Sequence, residues 1–221
     1  KFVETEFSLN DIQLGWLVSS LTLTAALGTF IAGPLSDKVG RRSVLKFAAL
    51  LFAVSALFSS MSTTFTMLII GRLIGGFAVG AALIIAPMYI AEVSPPARRG
   101  QMVSFNQLNI VIGISAAFFT NYLILKLGES PYEWVNAINL KTWNWRWMLG
   151  LEVFPALLYY IGLYFVPQSP RWLSMHGHFE KAQLTLQKFV GTEDARHQMK
   201  SIEESIFQEG KKEKVHFGEL F

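Results

Sequence analysis

Arg72 and Glu152 are the side chains in this sequence best placed to do chemistry. Arg72 separates two runs without Asp, Glu, Lys or Arg, 47–71 and 73–91, and Glu152 stands at the head of a third, 153–170. A guanidinium in apolar surroundings is costly and normally faces a partner or a wet cavity. A carboxyl there takes up or releases a proton as burial and nearby charge change. Gln107 lies in a fourth such run, 101–125, and its amide offers both donors and acceptors to a polar ligand. A second set of charges, Asp37, Arg41, Arg42, Glu92 and Arg99, falls in or beside two short polar loops. No nucleophile–base pair, metal-ligand cluster or phosphate loop accompanies them, so an enzyme is not indicated. Cysteine is absent, which removes disulfides and thiolate metal sites. All four histidines lie in the polar C-terminal stretch, and no cofactor or metal is expected.

The elements that must position these residues follow from composition. Of 221 residues, 52% are hydrophobic and 16% charged, against about a quarter charged in soluble domains. With the run 12–36 there are five charge-free stretches, each near the roughly 17–25 residues that a helix needs to cross a bilayer. Backbone amides in lipid must be satisfied within the segment, so the stretches read as helices. The spans are placed at 12–36, 43–62, 66–91, 102–125 and 147–167. Lys38, Arg41, Arg42, Lys46, Arg98 and Arg99 fall in two of the connecting loops, whereas the turn 59–65 carries no charge. That asymmetry places the basic loops, and everything after Pro170, in the cytosol. It also accounts for the net charge of +3 without nucleic acid. Arg72 and Glu152 then enter from outside, six and five residues into spans read as neighbours. At 1.5 Å per residue each lies roughly 8–9 Å below the outer rim, and the two are plausible partners.

Tyr132, Trp143, Trp145 and Trp147 cluster at the outer ends of the last two spans and read as interface anchors. Beyond Pro170, Phe179, Ala182, Leu186 and Phe189 recur at helical spacing, as do Met199, Ile202 and Ile206, so two amphipathic helices are expected. The Lys211–Lys214 run reads as a solvated linker. The chain starts with Lys1 and an odd number of spans, so one preceding span is expected to be missing. The expected organisation is a transmembrane bundle over 1–167, without its first helix, and an intracellular helical linker domain over 168–221.

Five blocks occur in order: Gly33–Arg42 (GPLSDKVGRR), Gly71–Gly80 (GRLIGGFAVG), Pro87–Gly100 (PMYIAEVSPPARRG), Ser104–Leu108 (SFNQL) followed by Gly113, and Pro167–Leu173 (PQSPRWL). Each alone is weak, and glycines at this spacing also serve plain helix packing. Taken as an ordered set, they resemble the sugar porter family of the major facilitator superfamily, in particular bacterial xylose–proton and hexose–proton symporters. The resemblance implies an all-α membrane protein, here five helices of an N-terminal six-helix bundle plus cytosolic helices, in the bacterial cell membrane. It implies sugar uptake by alternating access driven by a proton gradient. Its partners would be a sugar, a proton, the bilayer, the absent first helix and the absent C-terminal half. Gln107 matches the family's sugar-binding glutamine. Asp37, Arg41, Arg42, Glu92 and Arg99 match the cytosolic charge network that latches the halves. Glu152, coupled to Arg72, matches proton-coupled members; facilitative ones carry an apolar residue there. One departure is Gln168, where the family block reads Glu. A facilitative sugar carrier and a non-transporting sugar receptor of the same fold are the alternatives.

Overall fold

The computed structural model describes residues 2–212, with side chains described from Val3 to Gln208. The Lys211–Lys214 run and His216 lie outside the described side chains. A short helix α1 (Phe2–Phe7) precedes four long ones: α2 (Asp11–Val39), α3 (Arg41–Ser60), α4 (Phe65–Val93) and α5 (Arg99–Gly128). All four are long and apolar enough to cross a membrane. Local chemistry sets their ends. Asn10 and Gln13 form a reciprocal capping box at the start of α2, and Thr64 caps α4 by accepting from Met67 N–H. Gly40, at φ +91°, ends α2 and starts α3, a backbone conformation that any Cβ would strain.

The fifth expected span is not one uninterrupted helix. It consists of α7 (Asn144–Gly150) and α8 (Val153–Gly162), joined by a turn at Leu151 and Glu152, with a short α6 (Glu133–Ala137) before them. Pro155 supplies the reason, because it has no N–H for the Leu151 carbonyl four residues earlier. Phe154 N–H takes that carbonyl instead at 3.2 Å, and Glu152 N–H bonds to Leu149 O at 3.3 Å, so the ladder tightens locally. Glu152 therefore sits at a proline-induced irregularity.

α4 is the spine on which α2 and α3 both lie, while α7 and α8 pack on α3. Its two glycine pairs serve different neighbours. A Cβ on Gly71 or Gly75 would meet Ser59 or Ser55 of α3, and one on Gly76 or Gly80 would meet the Leu21 or Ala25 carbonyl of α2. Ser55 Oγ also donates to Gly71 O at 2.7 Å across the α3–α4 contact. With no hydrophobic effect between helices in lipid, close backbone approach and such bonds supply the cohesion. The core between them is accordingly small: Ala32, Ala48, Ala49, Ala78 and Ala81 pack around Ile85. By contrast α5 buries only Ile124 and Gly128 and presents an apolar surface along most of its length.

After the bundle come α9 (Pro170–Met175), α10 (Phe179–Val190) and α11 (Thr192–Lys212), held by a small core of Leu173, Ala182, Leu186, Ala195 and Met199. Of the expected stripe, Ala182 and Leu186 are buried, but Phe179 and Phe189 are exposed. Trp145 is a further difference. It is 4% exposed, edge-on to Phe7, with its indole N–H donated to Glu6, so it is a core residue rather than an interface anchor. Trp143, Trp147 and Tyr132 remain exposed.

Gly80 and Gly113 give a direct comparison. A Cβ on Gly80 would stand 1.9 Å from the Ala25 carbonyl oxygen, whereas nothing lies within 4 Å of one on Gly113. Gly80→Ala is expected to cost about 1–3 kcal/mol through overpacking. Gly113→Ala is expected to be neutral or to stabilise α5 by up to about 1 kcal/mol. Thermal unfolding of the detergent-solubilised chain checks this; equal midpoints would remove the close α2–α4 approach.

Candidate functional site

The charged residues gather at the end where α2 and α4 finish and α3 begins. Arg41 is only 4% exposed. Its Nη1 reaches Asp37 Oδ1 at 2.7 Å and Ser36 O at 3.1 Å, and its Nε and Nη2 each lie 3.2 Å from Glu92 Oε1. Ser169 Oγ donates to the other Glu92 oxygen. Ser169 is also the N-cap of α9. One guanidinium thus joins the α2–α3 turn to the end of α4 and, through Glu92, to the start of α9. Two more bonds fasten the same block: Tyr89 OH donates to Pro167 O at 2.9 Å, and Trp172 Nε1–H to Asp37 O at 3.0 Å.

Arg42 goes elsewhere. Its Nε and Nη2 donate to Leu163 O and Tyr164 O, each at 2.8 Å, so it satisfies carbonyls at the end of α8, where a cation is also favoured by the helix dipole. Lys46 stands 3.3 Å over the Tyr164 ring beside it. Arg99 is exposed and, among the described residues, forms no ion pair. It borders a cleft of about 540 Å³ together with Glu92, Arg171 and His197. Of the five expected latch residues, then, Asp37, Arg41 and Glu92 are in contact, while Arg42 and Arg99 flank them. Gln168 has a defined place: its Oε1 accepts from Arg42 N–H and its Nε2 donates to Ser43 Oγ, both at 3.3 Å. It caps the N-terminus of α3 from across the fold.

Within the spans, Arg72 is half-buried on α4, and its Nε–H is buried without an acceptor. Glu152 is exposed at the α7–α8 turn. The two charges act on each other electrostatically, but no ion pair within 4 Å forms between them. α7 and α8 pack chiefly on α3, so Glu152 acts on Arg72 from beyond ion-pair distance. Gln107 is exposed on α5.

A family model described as "Sugar (and other) transporter" matches residues 3–221. The chain belongs to the sugar transporter family. This is a family of membrane transporters, not enzymes. The arabinose-proton symporter of Bacillus subtilis is 38% identical over 93% of this chain and 43% of that protein. The D-xylose transporter of Levilactobacillus brevis is 40% identical over 84% of the chain and 37% of its own length. The solved structure of the major facilitator proton:xylose symporter XylE bound to 6-bromo-6-deoxy-D-glucose superposes with a TM-score of 0.83 at 33% identity. That match covers 94% of this chain and 48% of XylE. The fold is therefore that of the major facilitator superfamily, and the chain spans about two-fifths of the length of the curated sugar transporter relatives it matches.

Sequence reasoning missed one cluster in this family member. At the opposite end of the bundle, Arg146 donates from Nη1 to Ser60 O and Ser62 O at 3.2 and 2.6 Å, and from Nη2 to Glu6 at 2.8 Å. It closes the exposed carbonyls of α3 and ties α1 to α7. The available signal was an arginine within the Trp143–Trp147 belt, on the side where the basic loops are not.

The Gln168 geometry is testable. Gln168→Ala removes the acceptor for Arg42 N–H and is expected to cost roughly 0.5–2 kcal/mol, the usual worth of an N-cap. Gln168→Glu keeps an acceptor and should retain most of that stability. Unfolding midpoints of the two variants should therefore differ, and equal losses would show that the cap is not what Gln168 provides.

Proposed function

We propose that this chain is the N-terminal half of a proton-coupled sugar transporter that works by alternating access. In this reading residues 1–167 form the transmembrane part and 168–221 an intracellular linker. The supporting observation is Arg72: a guanidinium within an apolar span whose Nε–H is buried without an acceptor. Such a donor is costly to leave unmade, and among the described residues no acid forms an ion pair with it. An acid supplied by the preceding span completes the site, with Glu152 acting on the same arginine at longer range. A proton on either acid changes how strongly it holds Arg72. A cycle that alters this separation, or its access to water, gives the proton different affinities in the two states, and the gradient can bias the cycle only through that difference. The matching symporters are named for arabinose and galactose coupled to protons, which supports the same chemistry here.

Gln107 is assigned to the sugar. Its exposure on α5 suits a residue that faces a cavity completed by the second half. Repeat-built transporters place substrate between their halves near the midplane. The latch reading of Asp37, Arg41, Arg42, Glu92 and Arg99 belongs to the same proposal.

Two measurements in the full-length protein check these roles. Glu152→Gln is expected to reduce gradient-driven accumulation sharply while sugar exchange at equal pH, which needs no net proton flux, largely survives. Wild-type values for both would make Glu152 structural and favour a facilitative carrier. Gln107→Ala leaves sugar hydroxyls unpaired, at about 1–3 kcal/mol or roughly 5- to 150-fold in affinity. Unchanged affinity by calorimetry in a folded variant would remove Gln107 from the site. Sugar binding without any uptake would point to a receptor.

A further inference from the structure

Glu152 and Arg72 act on each other without an ion pair, so something other than their own contact must fix the distance between them. The last turn of α3 touches the neighbourhood of both. Ser59 faces α4, where a Cβ on Gly71, the residue before Arg72, would stand 3.2 Å from the Ser59 backbone nitrogen. One turn earlier, Ser55 Oγ donates to Gly71 O at 2.7 Å. Ser60 faces α7, where a Cβ on Gly150, two residues before Glu152, would lie 3.5 Å from the Ser60 Cβ. The end of α3 is thus a spacer with one charge to each side of it. A helix end makes a poor spacer unless it is held, because its last carbonyls have no partner within the helix.

Arg146 supplies that hold. Its Nη1 donates to Ser60 O at 3.2 Å and, just past the helix end, to Ser62 O at 2.6 Å. A cation is also favoured at this end of a helix. Its other arm donates from Nη2 to Glu6 Oε1 at 2.8 Å, and the adjacent Trp145 donates its indole N–H to the second oxygen of that carboxylate. Two consecutive residues of α7 therefore grip Glu6, and α1 leads on into the capped start of α2 through Asn10 and Gln13. α7 is fixed to α3 directly and to α2 through α1, and α2 and α3 are the helices that lie on α4.

We propose, resting on the role given to Glu152 above, that Arg146 is a positioning residue for proton coupling. By clamping the end of α3 against α7 it sets the separation of Glu152 from Arg72. Its own charge is balanced by Glu6, so the effect travels through geometry rather than through the field of Arg146. The protonation of a carboxyl depends on how near a guanidinium stands. Loosening the clamp consequently changes the proton affinity at Glu152 while both charges remain.

The test uses the full-length transporter in proteoliposomes and reads the pH midpoint of sugar uptake beside the rate of sugar exchange at equal pH. Arg146→Gln removes the clamp and leaves Arg72 and Glu152 in place. The midpoint is expected to move by about half a pH unit, roughly threefold in proton affinity, while exchange stays within about twofold of wild type. In a Glu152→Gln background the same substitution should move the midpoint no further, because two changes that act through one group are not additive. Glu6→Gln, which leaves both carbonyl bonds of Arg146 in place, carries the test if Arg146→Gln does not fold, and should move the midpoint the same way by less. An unmoved midpoint in the variant that folds, an equal loss of uptake and exchange, or a shift that persists in the Glu152→Gln background would each overturn the proposal. Glu152→Gln alone separates the two readings. If it leaves the midpoint and accumulation at wild-type values, the role of Glu152 fails; if it changes them and Arg146→Gln does not, only the positioning role fails.

Discussion

A guanidinium taken out of water must be surrounded by acceptors, and Arg41 imposes that requirement on everything at its end of the bundle. It draws Asp37 and the Ser36 carbonyl from the end of α2 and Glu92 from the end of α4, while Ser169 brings the head of α9 onto the same carboxylate. Removing Glu92 would leave the buried Arg41 guanidinium without its charged partner on α4, at about 3–5 kcal/mol, whereas the half-exposed Asp37 contributes less. Gly40 matters because its positive φ lets the chain reverse tightly enough for Asp37 and Arg41 to meet. Gln168 and Arg42 then fix the start of α3 to the end of α8. The α2–α3 turn, the two helix ends and the α9 block consequently behave as one body.

The spine of that body is α4. Its glycines admit α2 on one face and α3 on the other, and α7 and α8 pack chiefly on α3. Charged side chains are thereby sorted by depth and by side. The Arg41 cluster is satisfied internally at one end and the Arg146 cluster at the other, but Arg72, between them, keeps a buried N–H without an acceptor. In the rocking transporter proposed above, the moving contact and the substrate would both belong to the side facing the second half, and this half is braced at both ends with a buried donor left open between them. In that proposal the exposed face of α5, with Gln107 on it, would be the corresponding surface.

Much of this was legible in the sequence. Charge-free runs located the four long helices to within a few residues, since burial in lipid excludes charge over a whole span rather than at scattered positions. The family resemblance likewise implied a network of Asp37, Arg41, Arg42, Glu92 and Arg99, and Asp37, Arg41 and Glu92 are the three of these in contact. Other features depend on who packs against whom, and no local pattern carries that. Matching depth made Arg72 and Glu152 plausible partners, and they act on each other electrostatically, but depth says nothing of azimuth, and α7 and α8 pack chiefly on α3, beyond ion-pair distance. Pro155 splits the fifth span into α7 and α8, a break that a run of uncharged residues does not mark. Trp145 reads like its neighbours Trp143 and Trp147; only Glu6 and Phe7, some 140 residues earlier in the chain, make it a core residue. Gln168 lost a charge relative to the family block and found a different use as a cap, which only its distances to Arg42 and Ser43 reveal.

The claim on which the account turns is that the Arg41–Glu92 cluster sets the resting state of the whole transporter. Electron–electron double resonance between one spin label at exposed Arg98 and another on the second half's cytosolic face measures it directly. In Glu92→Gln the buried guanidinium loses its charged partner on α4, and the distance distribution should shift toward the inward-open population. A distribution indistinguishable from wild type, in protein that remains folded, would contradict the account and leave the cluster as a structural brace of the α2–α3 turn.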